Sequence, residues 1–175
     1  MTRKEPPGVQ ATTTLVPAAS TAIPRKSVYV HPGQLYVSAQ PSAATTILGS
    51  CVAVCLWERN LGLGGINHYL LPHGTGAGHA ALRFASGAIT ALLNKLLLLG
   101  ARKDRLQAKI FGGACVLDAF RAKGTDRHLG AKNVDIAKQL LGQEGLPIVA
   151  EDVGGTRGRK LIFHTDSGTA LVRLI

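Results

Sequence analysis

Residues 47–71, ILGSCVAVCLWERNLGLGGINHYLL, decide the fold. An apolar run rich in β-branched residues (47–57) meets a polar connection, Glu58 to Gly62, and is answered by a second apolar run, LGGINHYLL (63–71). Runs of this length on either side of a polar break describe two buried strands joined as a hairpin. Upstream, QLYVSA (34–39) alternates as a short strand after a Pro32-Gly33 turn. Residues 1–27 carry four prolines, many Thr, Ala and Ser, and no sustained period, which predicts a flexible N-terminal tail. Downstream, HGTGAGH (73–79) is a glycine-rich loop. Leu82, Ala85, Ile89, Leu92, Leu93, Leu96 and Leu99 then recur at spacings of three and four, predicting a buried helix over 80–99 that Gly100 ends.

LQAKIF (106–111) alternates as a strand into Gly112-Gly113. A second helix is expected from Asn133, a residue type favoured at N-caps, through Leu141, with Gly142 or Gly145 as its stop. PIVAEDV (147–153), RKLIFHT (159–165) and ALVRLI (170–175) supply three more short strands, separated by Gly154-Gly155 and by an Asp166–Gly168 hairpin. Hairpin connections dominate and only two long helices appear. The expected class is α+β, a single-domain sandwich with a mostly antiparallel sheet.

Composition bounds the function. The chain has 175 residues, 46% of them hydrophobic, and a formal net charge of +10. That supports one packed core of ordinary size. No apolar run approaches the roughly 20 residues of a membrane-spanning helix, and the proline-broken N-terminus is a poor secretory signal, so no membrane insertion is expected. Three cysteines, Cys51, Cys55 and Cys115, are too few and too irregular for a disulfide framework, which favours a reducing, cytoplasmic setting. The positive charge first suggests nucleic acid, but aromatics are only 5% and no recognition motif accompanies the basic residues. Those residues fall into three clusters: Arg102, Lys103, Arg105 and Lys109; Arg121, Lys123, Arg127 and Lys132; and Arg157, Arg159 and Lys160. They are expected to form a solvated basic face. No nucleic-acid partner is expected.

The chemistry points to the hairpin. A thiol becomes a useful nucleophile when a base lies within reach and the sulfur is partly exposed. His68 follows Cys51 by seventeen residues, and a hairpin turning near Asn60 returns the two to neighbouring strand positions. The plain rival is that Cys51 is a small buried hydrophobe. Cys55 shares a strand face with Cys51 at a separation of about 13 Å, too far for a common metal ion, and reads as core. Cys115 reads as core or a strand-to-helix turn. His68, His73 and His79 have no established metal-ligand spacing, and no glycine cluster sits in a strand–GxGxxG–helix or P-loop context. Neither metal nor cofactor is expected.

The segment TTILGSCVAVCLWERNLGLGGINHYLLP (45–72) closely resembles the signature of the CheD family of chemoreceptor glutamine deamidases. The likeness continues through RFASGAITALLNKLLLLGA (83–101), KIFGGA (109–114) and KNVDIAKQLLGQEGLPIVAEDVGGTRGRKLIFHTDSG (132–168), covering about residues 28–175 as one deamidase-like domain. The resemblance implies a sandwich similar to toxin-type cysteine deamidases and a Cys-His-Thr constellation. Its cysteine falls on Cys51 and its histidine on His68. Its threonine falls on Thr45 when counted back from the cysteine, with the adjacent Thr46 left open. Backbone N–H groups around Gly49 and Ser50 are expected to hold the oxyanion. The implied activity is hydrolysis of receptor glutamine side chains to glutamate without a cofactor, with a receptor methylesterase side activity. The implied partner is the cytoplasmic helical bundle of a methyl-accepting chemotaxis receptor, together with a CheC-type phosphatase, and the chain is expected to be a monomer. The alternative is a non-catalytic adaptor on the same surfaces. Ser86-Gly87 departs from the family pattern, and a mid-helix Gly costs about 1 kcal/mol against Ala.

Overall fold

The computed structural model describes residues 24–116 and 128–175. Two sheets form two of its layers. One has strand order β1 (Lys26–Tyr29), β3 (Ser42–Leu48), β8 (Arg159–His164) and β9 (Ala170–Leu174). The other runs β2 (Gln34–Ser38), β5 (Leu63–His68), β4 (Val52–Glu58), β6 (Leu106–Gly112) and β7 (Ile148–Val153). The β1–β3 and β6–β7 pairs are parallel and the other five are antiparallel. Helices α1 (Ala85–Leu98) and α2 (Leu129–Gln143) cover the free face of the five-stranded sheet. The class is α+β, as expected.

Strand alternation sorts the core. On β4, Val52, Val54 and Leu56 join the α1 stripe of Ala85, Ala88, Ile89, Leu92, Leu93 and Leu96. Ala53 and Cys55 point the other way and pack with Ala44, Leu48, Leu161 and Phe163 of the facing sheet. A central strand buried on both faces needs this continuous apolar run. Each fully buried Leu, Ile or Val in it contributes about 1.5–3 kcal/mol of transfer free energy.

Four local readings change. The run 47–57 is two strands in different sheets, broken at Gly49–Cys51, so Cys51 lies in the turn and not within a strand. β1 begins at Lys26, inside the segment expected to be tail, and is tied down by Arg25, whose guanidinium donates to both oxygens of Asp166 at 2.8 Å. Residues 1–23 of that expected tail lie outside the described residues. The helix expected over 80–99 begins at Ala85, after a 3₁₀ turn at Gly78–Arg83, because extended Phe84 bridges to Leu71. A Cβ at Gly87 would collide with the Ala81 carbonyl of that turn, so this departure lets the turn pack against the helix. The second helix starts four residues earlier than expected: His128 is its N-cap, its Nδ1 accepting from the Ala131 amide, and Asn133 sits inside it.

Among the basic residues, Arg159 is a structural group rather than part of a solvated face. It is 2% exposed and donates to the Asp152 carboxylate at 2.7 Å and to the Asp152 and Gly154 carbonyls. Arg121, Lys123 and Arg127 lie outside the described residues.

Candidate active site

The site forms where β3 ends, β4 begins and β5 returns. The hairpin register sets Val52 opposite Tyr69, each amide donating to the other's carbonyl (3.2 and 3.0 Å). Continuing it places Ala53 opposite His68 and Cys51 opposite Leu70. Cys51 packs with the residues between the sheets, and His68 points into the same layer. The two side chains are therefore diagonal neighbours, a relation that puts backbones about 7–8 Å apart and leaves long or aromatic side chains within reach.

His68 is 2% exposed. Its Nδ1 lies 2.8 Å from Thr46 Oγ1, and that hydroxyl also donates to the Val30 carbonyl at 2.7 Å. A hydroxyl has one proton. Because the Val30 carbonyl can only accept, Thr46 Oγ1 must accept from His68 Nδ1–H. The proton is thus on Nδ1 and the lone pair on Nε2, which is buried with no hydrogen-bond partner among the described residues. Burial drives the imidazole pKa down to about 4, with the Val30 carbonyl opposing and nearby His31 adding to the depression. Cys51 is half-buried, and burial raises its thiol while its own backbone N–H works the other way. Both shifts favour the neutral form of each group.

The turn is clamped from two sides. Gly113 and Ala114, running on from β6, donate to the Cys51 and Gly49 carbonyls at 2.8 Å each. Gly112 and Gly113 both have positive φ (109° and 71°), and a Cβ on Gly112 would collide with the Cys51 carbonyl. Only glycine allows that approach. From below, Asn133 of α2 donates Nδ2 to the Ser50 and Leu70 carbonyls at 2.9 Å each, and the Tyr69 hydroxyl donates to the Asn133 carbonyl at 2.6 Å. Among the described residues, no other group accepts from the Ser50 or Cys51 amide. A pocket of about 120 Å³, lined by Ser50, Ala114, Cys115, Val116, His128, Leu129 and Gly130, opens beside the turn.

The structure brings Cys51, His68, Gly49 and Ser50 together. It does not place Thr45 with them. Thr45 pairs with Tyr29 and Ile162 on the outer face of its sheet, and Thr46, one residue on, occupies the inward position against His68. A one-residue step along a strand reverses the face. Thr46, not Thr45, is therefore the hydroxyl that meets His68. Cys55 is buried at 1% exposure, as expected for core, and Cys115 lines the pocket. Asn133 was missed. Its signal was a polar residue in the apolar stripe formed by Gly130, Val134, Ala137 and Leu141, since buried polar groups require partners.

Comparisons with known proteins identify the family. The family model described as CheD chemotactic sensory transduction matches residues 70–174, a span that begins two residues after His68. The probable chemoreceptor glutamine deamidase CheD 1 of Anaeromyxobacter dehalogenans is 48% identical over 149 residues, covering 85% of each chain. The probable chemoreceptor glutamine deamidases of Trichlorobacter lovleyi and Sulfurimonas denitrificans are 41% and 39% identical, over 85% and 84% of this chain and 91% and 93% of theirs. Among solved structures, the Bacillus licheniformis hypothetical protein YfiH gives a TM-score of 0.41 at 17% identity, covering 67% of this chain and 49% of that one.

Proposed function

This chain belongs to the CheD family, and from that premise we propose that it is a chemoreceptor glutamine deamidase with Cys51 as nucleophile, His68 as base and Thr46 as the residue that sets the base's tautomer. The observation that carries the reading is the relay from Val30 through Thr46 to His68, which leaves a bare Nε2 on the face shared with a half-buried thiol.

The reaction begins from neutral groups. As Cys51 Sγ attacks the side-chain amide carbon of a substrate glutamine, His68 Nε2 takes the thiol proton, and the carbonyl π electrons move onto oxygen. The resulting oxyanion sits against the Ser50 and Cys51 amides, which have no acceptor in another residue among those described. His68 returns the proton to the nitrogen, the C–N bond breaks and ammonia leaves, giving a glutamyl thioester. A water molecule, deprotonated by Nε2, attacks the thioester and expels the Cys51 sulfur, which recovers its proton. The sum is amide plus water to carboxylate plus ammonium. Hydrolysis of a glutamyl methyl ester would pass through the same thioester, so a methylesterase side activity belongs to the same proposal. The substrate surface is the receptor's cytoplasmic helical bundle, whose acidic residues suit the chain's positive charge.

The test is incubation with a purified receptor cytoplasmic fragment, with glutamine-to-glutamate conversion followed by mass spectrometry and ammonia release. Conversion that requires both Cys51 and His68 is the expected result. Conversion by Cys51→Ala at the wild-type rate refutes the nucleophile, and stoichiometric binding without any mass change turns the reading to an adaptor.

A further inference from the structure

Asn133 is 0% exposed, on a helix facing the active-site turn, and it is doing more than filling space. Its Nδ2 spends both protons on backbone carbonyls of the site, Ser50 and Leu70. Neither carbonyl is bonded elsewhere by a backbone amide among the described residues. Ser50 immediately precedes the nucleophile, and Leu70 stands opposite it in the hairpin register. One side-chain amide therefore fastens the turn that carries Cys51 to the strand that carries His68.

The consequence follows from peptide planarity. The Ser50 carbonyl and the Cys51 N–H belong to one peptide unit, and in a trans peptide they point in opposite directions. No cis peptide is present among the described residues. Anchoring the carbonyl on α2 turns the Cys51 N–H away from α2. A donor bound to the carbonyl also polarises the unit and strengthens its N–H as a donor. Gly113 and Ala114 hold the peptides on either side, but this peptide makes no other hydrogen bond to another residue among those described.

Asn133 is itself held. The Tyr69 hydroxyl donates to its carbonyl, and Gly130, one turn earlier, lies so close to Gly113 that a Cβ there would collide with the Gly113 carbonyl. That close approach of helix to sheet puts a side chain as short as asparagine within bonding distance of the turn.

We propose that Asn133 is a positioning residue of the reaction: by anchoring the Ser50 carbonyl it orients the Ser50–Cys51 peptide and aims the Cys51 N–H at the oxyanion formed when Sγ attacks the substrate amide. This rests on the deamidase reading above. It differs from a purely structural role, because it separates two reactions of the same thiol. Attack on an amide builds an oxyanion and needs the aimed N–H. Alkylation by iodoacetamide is a displacement at carbon that builds none.

Asn133→Ala and Asn133→Asp are compared with wild type by three measurements. Deamidation of the receptor fragment is expected to lose about hundredfold in kcat, the scale of one oxyanion donor, with little change in KM. The rate of iodoacetamide labelling at Cys51, followed by peptide mapping, stays within about threefold. Asn133→Asp is close in shape but presents a carboxylate to two carbonyls. Burial raises its pKa, and its protonated form can restore one of the two hydrogen bonds. Its relative kcat should therefore recover as pH falls, a trend wild type does not share, which keeps the test open where Asn133→Ala does not fold. The third measurement needs no substrate: the amide ¹⁵N resonance of Cys51 moves upfield in Asn133→Asp at pH 8, as its peptide loses the donor on its carbonyl. A folded variant with unchanged kcat, a parallel fall in kcat and labelling, or an unmoved Cys51 resonance overturns the inference. A wild-type protein that releases no ammonia overturns the deamidase reading instead, and the resonance still decides the role of Asn133.

Discussion

Cys51 and Cys55 stand four residues apart and face the same layer between the sheets, yet they are chemically unlike. Cys55 sits mid-strand, its backbone committed to ladders with β5 and β6, and its thiol is pushed far up by complete burial. Cys51 sits where the ladder has just begun. Its amide has no acceptor in another residue among those described, it is only partly buried, and a buried imidazole lies one diagonal step away. The difference teaches that, on the proposed mechanism, reactivity would come from the end of the strand, where the Cys51 amide has no acceptor in another residue among those described, and not from the sheet face alone.

The sharpest way to break that comparison is to remove each sulfur in turn. Cys51→Ala should lower deamidation of a receptor fragment by at least about 10³-fold, as expected for loss of a covalent nucleophile. Equal losses from Cys51→Ala and Cys55→Ala would erase the distinction.

The imidazole that Cys55 lacks makes the next prediction. His68 titrates near 4 when folded, against 6.5 in the unfolded chain. Between those values the unfolded state binds the extra proton, so stability present above about pH 6.5 is lost as pH falls toward 4, by roughly 3 kcal/mol. Urea unfolding from pH 7 to pH 4 should show that loss, and His68→Gln should remove most of it. A slope unchanged by His68→Gln would mean that the ring is not held neutral by burial. Activity should keep its acid limb near pH 4 instead of near 6.5.

A smaller effect separates the two threonines. Thr46→Val removes the acceptor for Nδ1–H and should lower kcat about tenfold to hundredfold, while Thr45→Val, altering the outer face, should leave it within about twofold. The reverse order in steady-state assays would return the third position to Thr45. Smallest of all, Cys55→Ala should leave kcat unchanged and cost about 1 kcal/mol in chemical denaturation, the price of a small core cavity.

The threonine result shows where sequence reading stops. In Ser42–Leu48, alternation puts Ser42, Ala44, Thr46 and Leu48 on one face and Ala43, Thr45 and Ile47 on the other. Both sets mix small, hydroxyl and apolar residues, so the period-two signal is present but gives no direction. Only the pairing with β8 and the hydrogen bond to His68 show which set is inside. The break at Gly49–Cys51 was hidden for a related reason: only Gly49-Ser50 interrupts the apolar character from Ile47 to Trp57, because both strands enter buried layers. Asn133 was read through its helix-capping propensity, a local preference. Its contacts are with residues 63 and 83 positions away in sequence.

The sequence by itself determined the α+β class and the Cys51–His68 hairpin, because each follows from periodicity, turn chemistry or spacing within one short segment. The tertiary structure alone decided that Thr46 faces His68, that the imidazole carries its proton on Nδ1, and that Asn133 holds the Ser50 carbonyl. Those are meetings between separate layers. Local physics sets which faces a segment has, and only packing sets what each face meets.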